Sequence, residues 1–442
     1  MFIKTNIKLL LLITFYILCE YKIFVWHYYI NLKKIKKKIK VAIFSSSIKN
    51  GGIERQTSLM VNYFNKVNIF DLYLFTKKDK EKNEYNLDKN IKRKVIKNNL
   101  IQILMQNDID ILIYQFYKYI EINQLNNMNK IKLIVINHSC FLYWMYCRRY
   151  YFFKTVYKAY RHCKYLISLI PFEHNYLFKK WGINSILMNN FVAYDYKTIK
   201  PSDLSSKTIL MIGRGSDPIK RFELGINAME HIIKEIPESE MKIISMTTHI
   251  QNLKKLIKRL NLSKNIKFVG YLSDASIYYK NASLHLFPTL AEAFPCILSE
   301  TLIYGIPNIL TGLDYVSTSK GGTVIIYDDS SISLAKEAIK ILRNKRYRKK
   351  LGKEARNNMK RFRNDLLLEK WVKIILEIYN GKNIYEIKNN KDIKLSKDES
   401  LKIIENQIKL LKLRNKKFKN ITINNIENIS FMENIQEYIK NY

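Results

Sequence analysis

Twice along this chain a short apolar run breaks into glycine and then into a helical pattern. Residues 41–46, Val-Ala-Ile-Phe-Ser-Ser, lead into Gly51-Gly52 and a helical stretch from Ile53 to Phe64. Residues 208–212 lead into Gly213-Arg214-Gly215 and a helix from about Phe222. Strand, glycine turn and helix in that order open a dinucleotide-type domain. Further apolar runs follow the first opening at 72–75, 109–113, 133–136 and 165–170. They follow the second at 241–245, 266–269, 284–287, 308–311 and 323–326. Short runs of this kind, with helical or polar stretches between them, are buried parallel strands. The chain is therefore expected to be α/β, with one unit over 41–192 and another over 207–365. Residues 193–206, with Pro201 and several Ser, read as a hinge. The default ligand site is the cleft between two such units.

With 442 residues and 47% hydrophobic content, two cores are affordable and global disorder is excluded. The formal charge of +38 invites a nucleic-acid reading. Against it, the Lys residues are spread over the whole chain among Ile, Asn and Tyr, and no zinc-finger, basic-zipper or RNP-like motif accompanies them. Anionic lipid is the better partner for that charge, and nucleic acid is not expected. Cys19, Cys140, Cys147, Cys163 and Cys296 form no C-x-x-C pair and no Cys/His metal spacing, so they read as reduced cytosolic thiols.

Residues 1–40 read as a membrane anchor with a polybasic end. Residues 7–30 reach spanning length only by tolerating Glu20 and Lys22. Trp26, Tyr28 and Tyr29 suit an interface, and Lys33-Lys34-Ile35-Lys36-Lys37-Lys38 directs the body to the cytoplasmic side. A cleaved signal peptide lacks its small-residue site here, while an amphipathic segment lying on the bilayer stays open. At the other end, residues 366–381 carry Trp371 and have helical periodicity. Residues 382–442 are a Lys/Asn/Ile-rich tail, with one candidate helix at 399–413 and no assigned chemistry.

Residues 288–308 carry the most chemistry. Glu292 sits on a turn, Pro295 suits a first helical position, Glu300 follows within the helix, and Gly305 with Pro307 closes it. Two carboxylates then flank a helix N-terminus whose free N–H groups favour an anion. A sugar diphosphate site needs such parts, acceptors for hydroxyls beside donors for phosphate.

This stretch closely resembles the E-x(7)-E signature of retaining glycosyltransferases of family 4, with seven residues between Glu292 and Glu300. The resemblance implies the GT-B fold, two Rossmann-like domains facing across a cleft. It implies that Glu292 contacts hydroxyls of the donor sugar, that Glu300 holds the ribose, and that backbone amides near Phe294, Pro295 and Cys296 line the sugar and phosphate path. Gly213-Arg214-Gly215-Ser216-Asp217-Pro218-Ile219-Lys220 resembles the family's Gly-Arg turn followed by Lys, both cations facing the donor diphosphate. Two fixed cations neutralise a leaving diphosphate as a divalent metal does elsewhere. The chain offers no Asp-x-Asp pair in a comparable strand-end loop, so no metal and no cofactor beyond the nucleotide sugar are expected.

Gly51-Gly52-Ile53-Glu54-Arg55 resembles the glycine loop that opens these enzymes, where a Cβ would obstruct a phosphate or sugar. Arg55 has two readings, a phosphate contact or a surface pair with Glu54. His138, after the strand at 133–136, lies where the family places a His near the reacting sugar. Phe268-Val269-Gly270-Tyr271 matches the strand end beside the nucleotide base, with Gly270 open to backbone contacts. Relatives carry a Gly-x-Gly turn after the strand at 241–244, and this chain reads Ser245-Met246-Thr247-Thr248 instead.

The expected activity is transfer of a hexosyl or N-acetylhexosaminyl residue from a nucleotide diphosphate sugar, UDP- rather than GDP-linked. The acceptor is a hydroxyl of a lipid-linked glycan or polysaccharide at the membrane, and the anomeric configuration is retained. The alternative is a non-catalytic GT-B-like subunit that binds a partner or lipid. A nucleotide-sugar epimerase is disfavoured by the N-terminal segment.

Overall fold

A computed structural model describes residues 37–387 and Asn406, except residues 50, 98, 116–118, 129, 139, 141–149, 216, 246–249, 273 and 320. The described strands form two parallel sheets. The first has the order β3-β2-β1-β4-β5-β6-β7. Its strands are β1 Ile39–Ser45, β2 Phe70–Thr76, β3 Lys92–Val95, β4 Ile111–Tyr114, β5 Lys132–Ile136, β6 Tyr165–Ser168 and β7 Ile186–Leu187. The second has the order β10-β9-β8-β11-β12-β13. Its strands are β8 Thr208–Ile212, β9 Glu240–Ile244, β10 Ile266–Gly270, β11 Leu284–Phe287, β12 Asn308–Thr311 and β13 Thr323–Ile326. Strand order reverses at β1/β4 and again at β8/β11, which puts a crevice at the carboxyl ends of both pairs.

Eleven of these strands stand where apolar runs put them, and two carry no such signal. β3 reads Lys-Arg-Lys-Val at the sheet edge, its residues alternating between exposed and half-buried. Edge strands are protected by charge rather than by burial. Arg93 is held by Glu84 at 2.7 Å and Lys92 by Asp71 at 2.6 Å. β7 is two residues long, below the length at which a pattern exists.

The helix Gly52–Phe64 buries Met60, Val61 and Phe64 against the first sheet. From the far end of the chain, the helix Asn364–Tyr379 crosses back onto it. Trp371 is 2% exposed, with its ring 5.8 Å from that of Phe64 in an edge-on contact. Asn364 accepts from the Val192 amide at 2.9 Å and donates to Tyr63 Oη at 2.7 Å and to the Val192 carbonyl at 2.8 Å. Tyr165 Oη donates to the Lys382 carbonyl at 2.8 Å. One hydrophobic core therefore runs from the first sheet through the interface to the inner face of the second, and a separate core fills the second domain's far side.

The segment 193–206 is tied to the second domain rather than free to bend along its length. Arg356 donates to the carbonyls of Tyr196, Ile199 and Ile303, each at 2.9 Å, and the Ser202 amide donates to the Tyr304 carbonyl at 2.8 Å. Asn406 is helical and buried, and its side chain donates to the Gly312 carbonyl at 2.7 Å. The rest of the candidate tail helix and the anchor at 7–30 lie outside the described residues. Among the described residues no helix is long and apolar enough to cross a membrane.

Candidate active site

Eleven of the twelve expected site residues line one cleft of about 720 Å³ between the domains. They are Gly51, Gly52 and His138 from the first domain, and Gly213, Arg214, Lys220, Glu292, Phe294, Pro295, Cys296 and Glu300 from the second. Gly270 is not among them. It ends β10 at φ +95° with its carbonyl accepting from the Ser245 amide at 3.1 Å, and the residues after it, Tyr271 and Leu272, reach the cleft instead.

Strand ends deliver the cations. After β8 the chain turns at Gly213, where φ is +156° and a Cβ would meet the Lys220 side chain at 3.3 Å. Asp217 accepts from the Ile219 amide at 3.1 Å, capping the 3₁₀ turn Pro218–Lys220 that aims Lys220 inward. The Lys220 ammonium is bonded to Glu292 and lies 6.0 Å from the centre of the Phe287 ring. Arg214 is more exposed and pairs with Asp217 at 3.0 Å. At the end of β9, Ser245 Oγ accepts from the Gly215 amide at 2.7 Å, so this serine braces the Gly-Arg-Gly turn. The next residues, 246–249, lie outside the described set.

After β11, Thr289 Oγ1 donates to Glu292 at 3.3 Å and fixes its carboxylate over the turn. The helix runs Cys296–Ile303, one residue later than expected. Pro295 is its N-cap, with ψ +118°, and the Pro295 carbonyl accepts from the Ser299 amide at 3.2 Å. The Phe294 carbonyl accepts from Asn190 of the first domain at 3.3 Å, which holds the chain extended up to the cap. The first-turn amides of this helix have no intrahelical partner, and Pro295, Cys296 and Ile297 face the cleft. Burial pushes the Cys296 thiol up to about 11, and Gln56 Nε2 of the first domain donates to its sulfur at 3.2 Å. Gly305 closes the helix at φ +70°.

Glu300 lines the cleft from a buried position. It is 2% exposed, accepts from Tyr279 Oη at 2.7 Å and pairs with Arg55 Nη2 at 2.9 Å. Arg55 thus pairs with Glu300 rather than with Glu54 at the surface. It reaches across the cleft, with its guanidinium 5.5 Å from the centre of the Tyr85 ring. Burial opposes the charge on Arg55, but Glu300 together with Tyr279, Cys296 and Tyr85 carries the pKa above its ordinary range. Nothing in periodicity or spacing marks such a partner. The available signal was only that Arg55 follows a glycine loop on the cleft side of a helix.

Glu54 instead folds back over Gly51, where any Cβ would collide with its carboxylate. Burial raises the Glu54 pKa, and Arg214 across the cleft lowers it in part. A Cβ on Gly52 would meet nothing within 4 Å, so the packing itself does not demand glycine there. His138 follows β5 with a solvent-shielded Nε2 that has no hydrogen-bond partner, and burial lowers its pKa to about 4. It is a neutral imidazole in the cleft wall near neutral pH. Among the described residues no three His, Cys, Asp or Glu side chains gather as metal ligands.

These features agree with what the chain resembles. Residues 195–358 match the family Glycosyl transferases group 1. A relative in Haemophilus influenzae described as an uncharacterized glycosyltransferase is 26% identical over 155 residues, 34% of this chain and 42% of the relative. A Campylobacter jejuni enzyme is 25% identical over 202 residues, 44% of this chain and 55% of that one. It is an α-1,4-N-acetyl-D-galactosaminyltransferase acting on a GalNAc-containing diphosphoundecaprenol. The chain thus spans about half the length of these relatives. The solved structure of HepE from Anabaena, in complex with UDP and glucose, superposes with a TM-score of 0.62 at 14% identity, over 76% of this chain and 99% of that one. The chain has the two-domain GT-B fold, and its second domain is similar to the glycosyl transferases of group 1.

Proposed function

We propose that this protein transfers a hexosyl or N-acetylhexosaminyl residue from a nucleotide diphosphate sugar, UDP- rather than GDP-linked, onto a hydroxyl of a lipid-linked glycan or polysaccharide. The anomeric configuration is retained, and no metal is required. One observation carries the reading: two cations, two carboxylates and a helix N-terminus from separate strand ends meet in a single cleft. Arg214 and Lys220 neutralise the diphosphate as its charge develops, aided by the first-turn amides at Pro295–Ile297. The donor displaces Glu292 from Lys220, which frees that carboxylate for sugar hydroxyls. Glu300 accepts from the ribose. The leaving β-phosphate takes the acceptor's proton, so no side-chain nucleophile is needed. His138, kept neutral by burial, offers Nε2 to a sugar hydroxyl without adding charge. Closure of the two domains excludes water as a competing acceptor.

The lipid-linked acceptor of the Campylobacter relative and the UDP bound to the Anabaena structure favour these choices of acceptor and base. Residues 7–30 anchor the protein, with the polybasic segment and the catalytic body on the cytoplasmic side. The test is turnover of a panel of nucleotide sugars with membrane-lipid acceptors, with and without chelator, for the wild type and Glu292→Ala. Transfer that survives EDTA and is lost in the variant is expected. Abolition by EDTA would overturn the role given to the two cations, and absence of any transfer would favour a non-catalytic subunit.

A further inference from the structure

We propose that Arg55, carried by the first domain, is the positioning residue that holds the Glu300 carboxylate of the second domain in place for the donor's ribose, so that the nucleoside subsite is complete only when the domains meet. The proposal rests on the reading of Glu300 as the ribose acceptor. Its own ground is geometric. Glu300 Oε2 is taken by Tyr279 at 2.7 Å, while Oε1 lies 2.9 Å from Arg55 Nη2 and takes no hydrogen bond. A carboxylate oxygen has two lone pairs, so Oε1 keeps acceptor capacity, and Glu300 is among the residues that line the cleft.

Among the described residues around this carboxylate other than Arg55, Tyr279 favours its charge through the hydrogen bond it donates, and the rest do not. Tyr279, Tyr194, Tyr304 and Cys296 are neutral, and Asp274 repels it while accepting from Tyr194 Oη at 2.6 Å. Burial raises the Glu300 pKa, and Arg55 is the cation among the described residues that lowers it. An ionised carboxylate accepts roughly twice as strongly as a neutral acid, so losing Arg55 weakens the grip on ribose without touching it. Arg55 lies in the helix Gly52–Phe64, wholly within the first domain. Separation of the domains therefore switches off an acceptor in the second.

Calorimetric titration of the full chain with UDP or GDP, whichever the wild type binds, and with its 2′-deoxy analogue tests this. At neutral pH, Arg55→Ala is expected to lose about tenfold or more in affinity and most of the preference for ribose over deoxyribose. Arg55→Lys is expected to retain most of both. In a Glu300→Gln background the Arg55→Ala change is expected to add little, because one residue acts through the other. Unchanged affinity and unchanged ribose preference in folded Arg55→Ala would overturn the proposal, as would an equal loss in both backgrounds. A wild type that binds no nucleoside diphosphate would instead remove the functional reading beneath it.

Discussion

From the second domain the cleft receives Arg214, Lys220, Glu292 and Glu300; from the first it receives Gly51, Gly52, Arg55 and His138. The second domain's two cations are neutralised within that domain, Lys220 by Glu292 and Arg214 by Asp217. The first domain's contributions are of another kind. Arg55 finds its counter-charge only across the cleft, Gln56 and Asn190 reach across to Cys296 and Phe294, and His138 is a neutral group in the wall. The difference teaches a division of labour: one domain carries a preset grip for an anion, and the other supplies groups that reach across the cleft to complete the site.

The severest way to break this comparison is to loosen the joint between the domains. Trp371→Ala removes a fully buried ring from the helix that crosses onto Phe64 and is expected to cost about 3–5 kcal/mol. Chemical denaturation would show it as a lowered midpoint, with the loss falling mainly on the first domain. A change below about 1 kcal/mol would mean that this helix does not hold the two together.

Next come the two sides of the grip. Lys220→Ala is expected to lower turnover about 10²–10³-fold with folding intact, because a preset cation at the leaving group is gone. His138→Ala is expected to cost about fivefold, since a neutral hydrogen bond contributes about 1 kcal/mol. Steady-state kinetics on both variants sharpens the contrast, and equal losses would erase it.

A further test lies beneath the cleft, where the domains meet through buried carboxyls. Glu173 of the first domain accepts from Asn137, and Asp314 of the second accepts from Cys140 Sγ at 3.1 Å. Burial, with Asp314 nearby, pushes Glu173 up to about 8 from an ordinary 4.5, and burial pushes Asp314 up to about 7. Between these values the folded protein holds protons that the unfolded chain has released. Stability therefore falls as pH rises from about 4.5 to about 8, with a slope per group of at most about 1.4 kcal/mol per unit. Thermal melts of Glu173→Gln are expected to show a flatter profile over that window. An unchanged slope would mean that Glu173 does not carry this pH dependence.

The fold was largely legible because buried parallel strands leave apolar runs, and β4 and β8 announce themselves that way. β3 was not, because an edge strand of Lys-Arg-Lys-Val is selected for charge. The residues of the grip were legible as a short-range motif, with Glu292, Pro295 and Glu300 within one turn and helix. The Arg55–Glu300 pair was not, since side chains so distant along the chain meet only through the packing of two domains. Ser245 was seen as a departure, and its contact to Gly215 depends on how β9 lies beside β8. The hinge at 193–206 was read from Pro and Ser, and the Arg356 side chain that straps it down comes from a helix no local pattern connects to it.

The most direct test of the central claim is a crystal structure of the full chain with the nucleoside diphosphate it binds. The account predicts the diphosphate against Arg214 and Lys220 and the ribose hydroxyls on Glu300, with Lys220 released from Glu292. A nucleotide seated outside this cleft, or one that leaves the Lys220–Glu292 pair untouched, would contradict it.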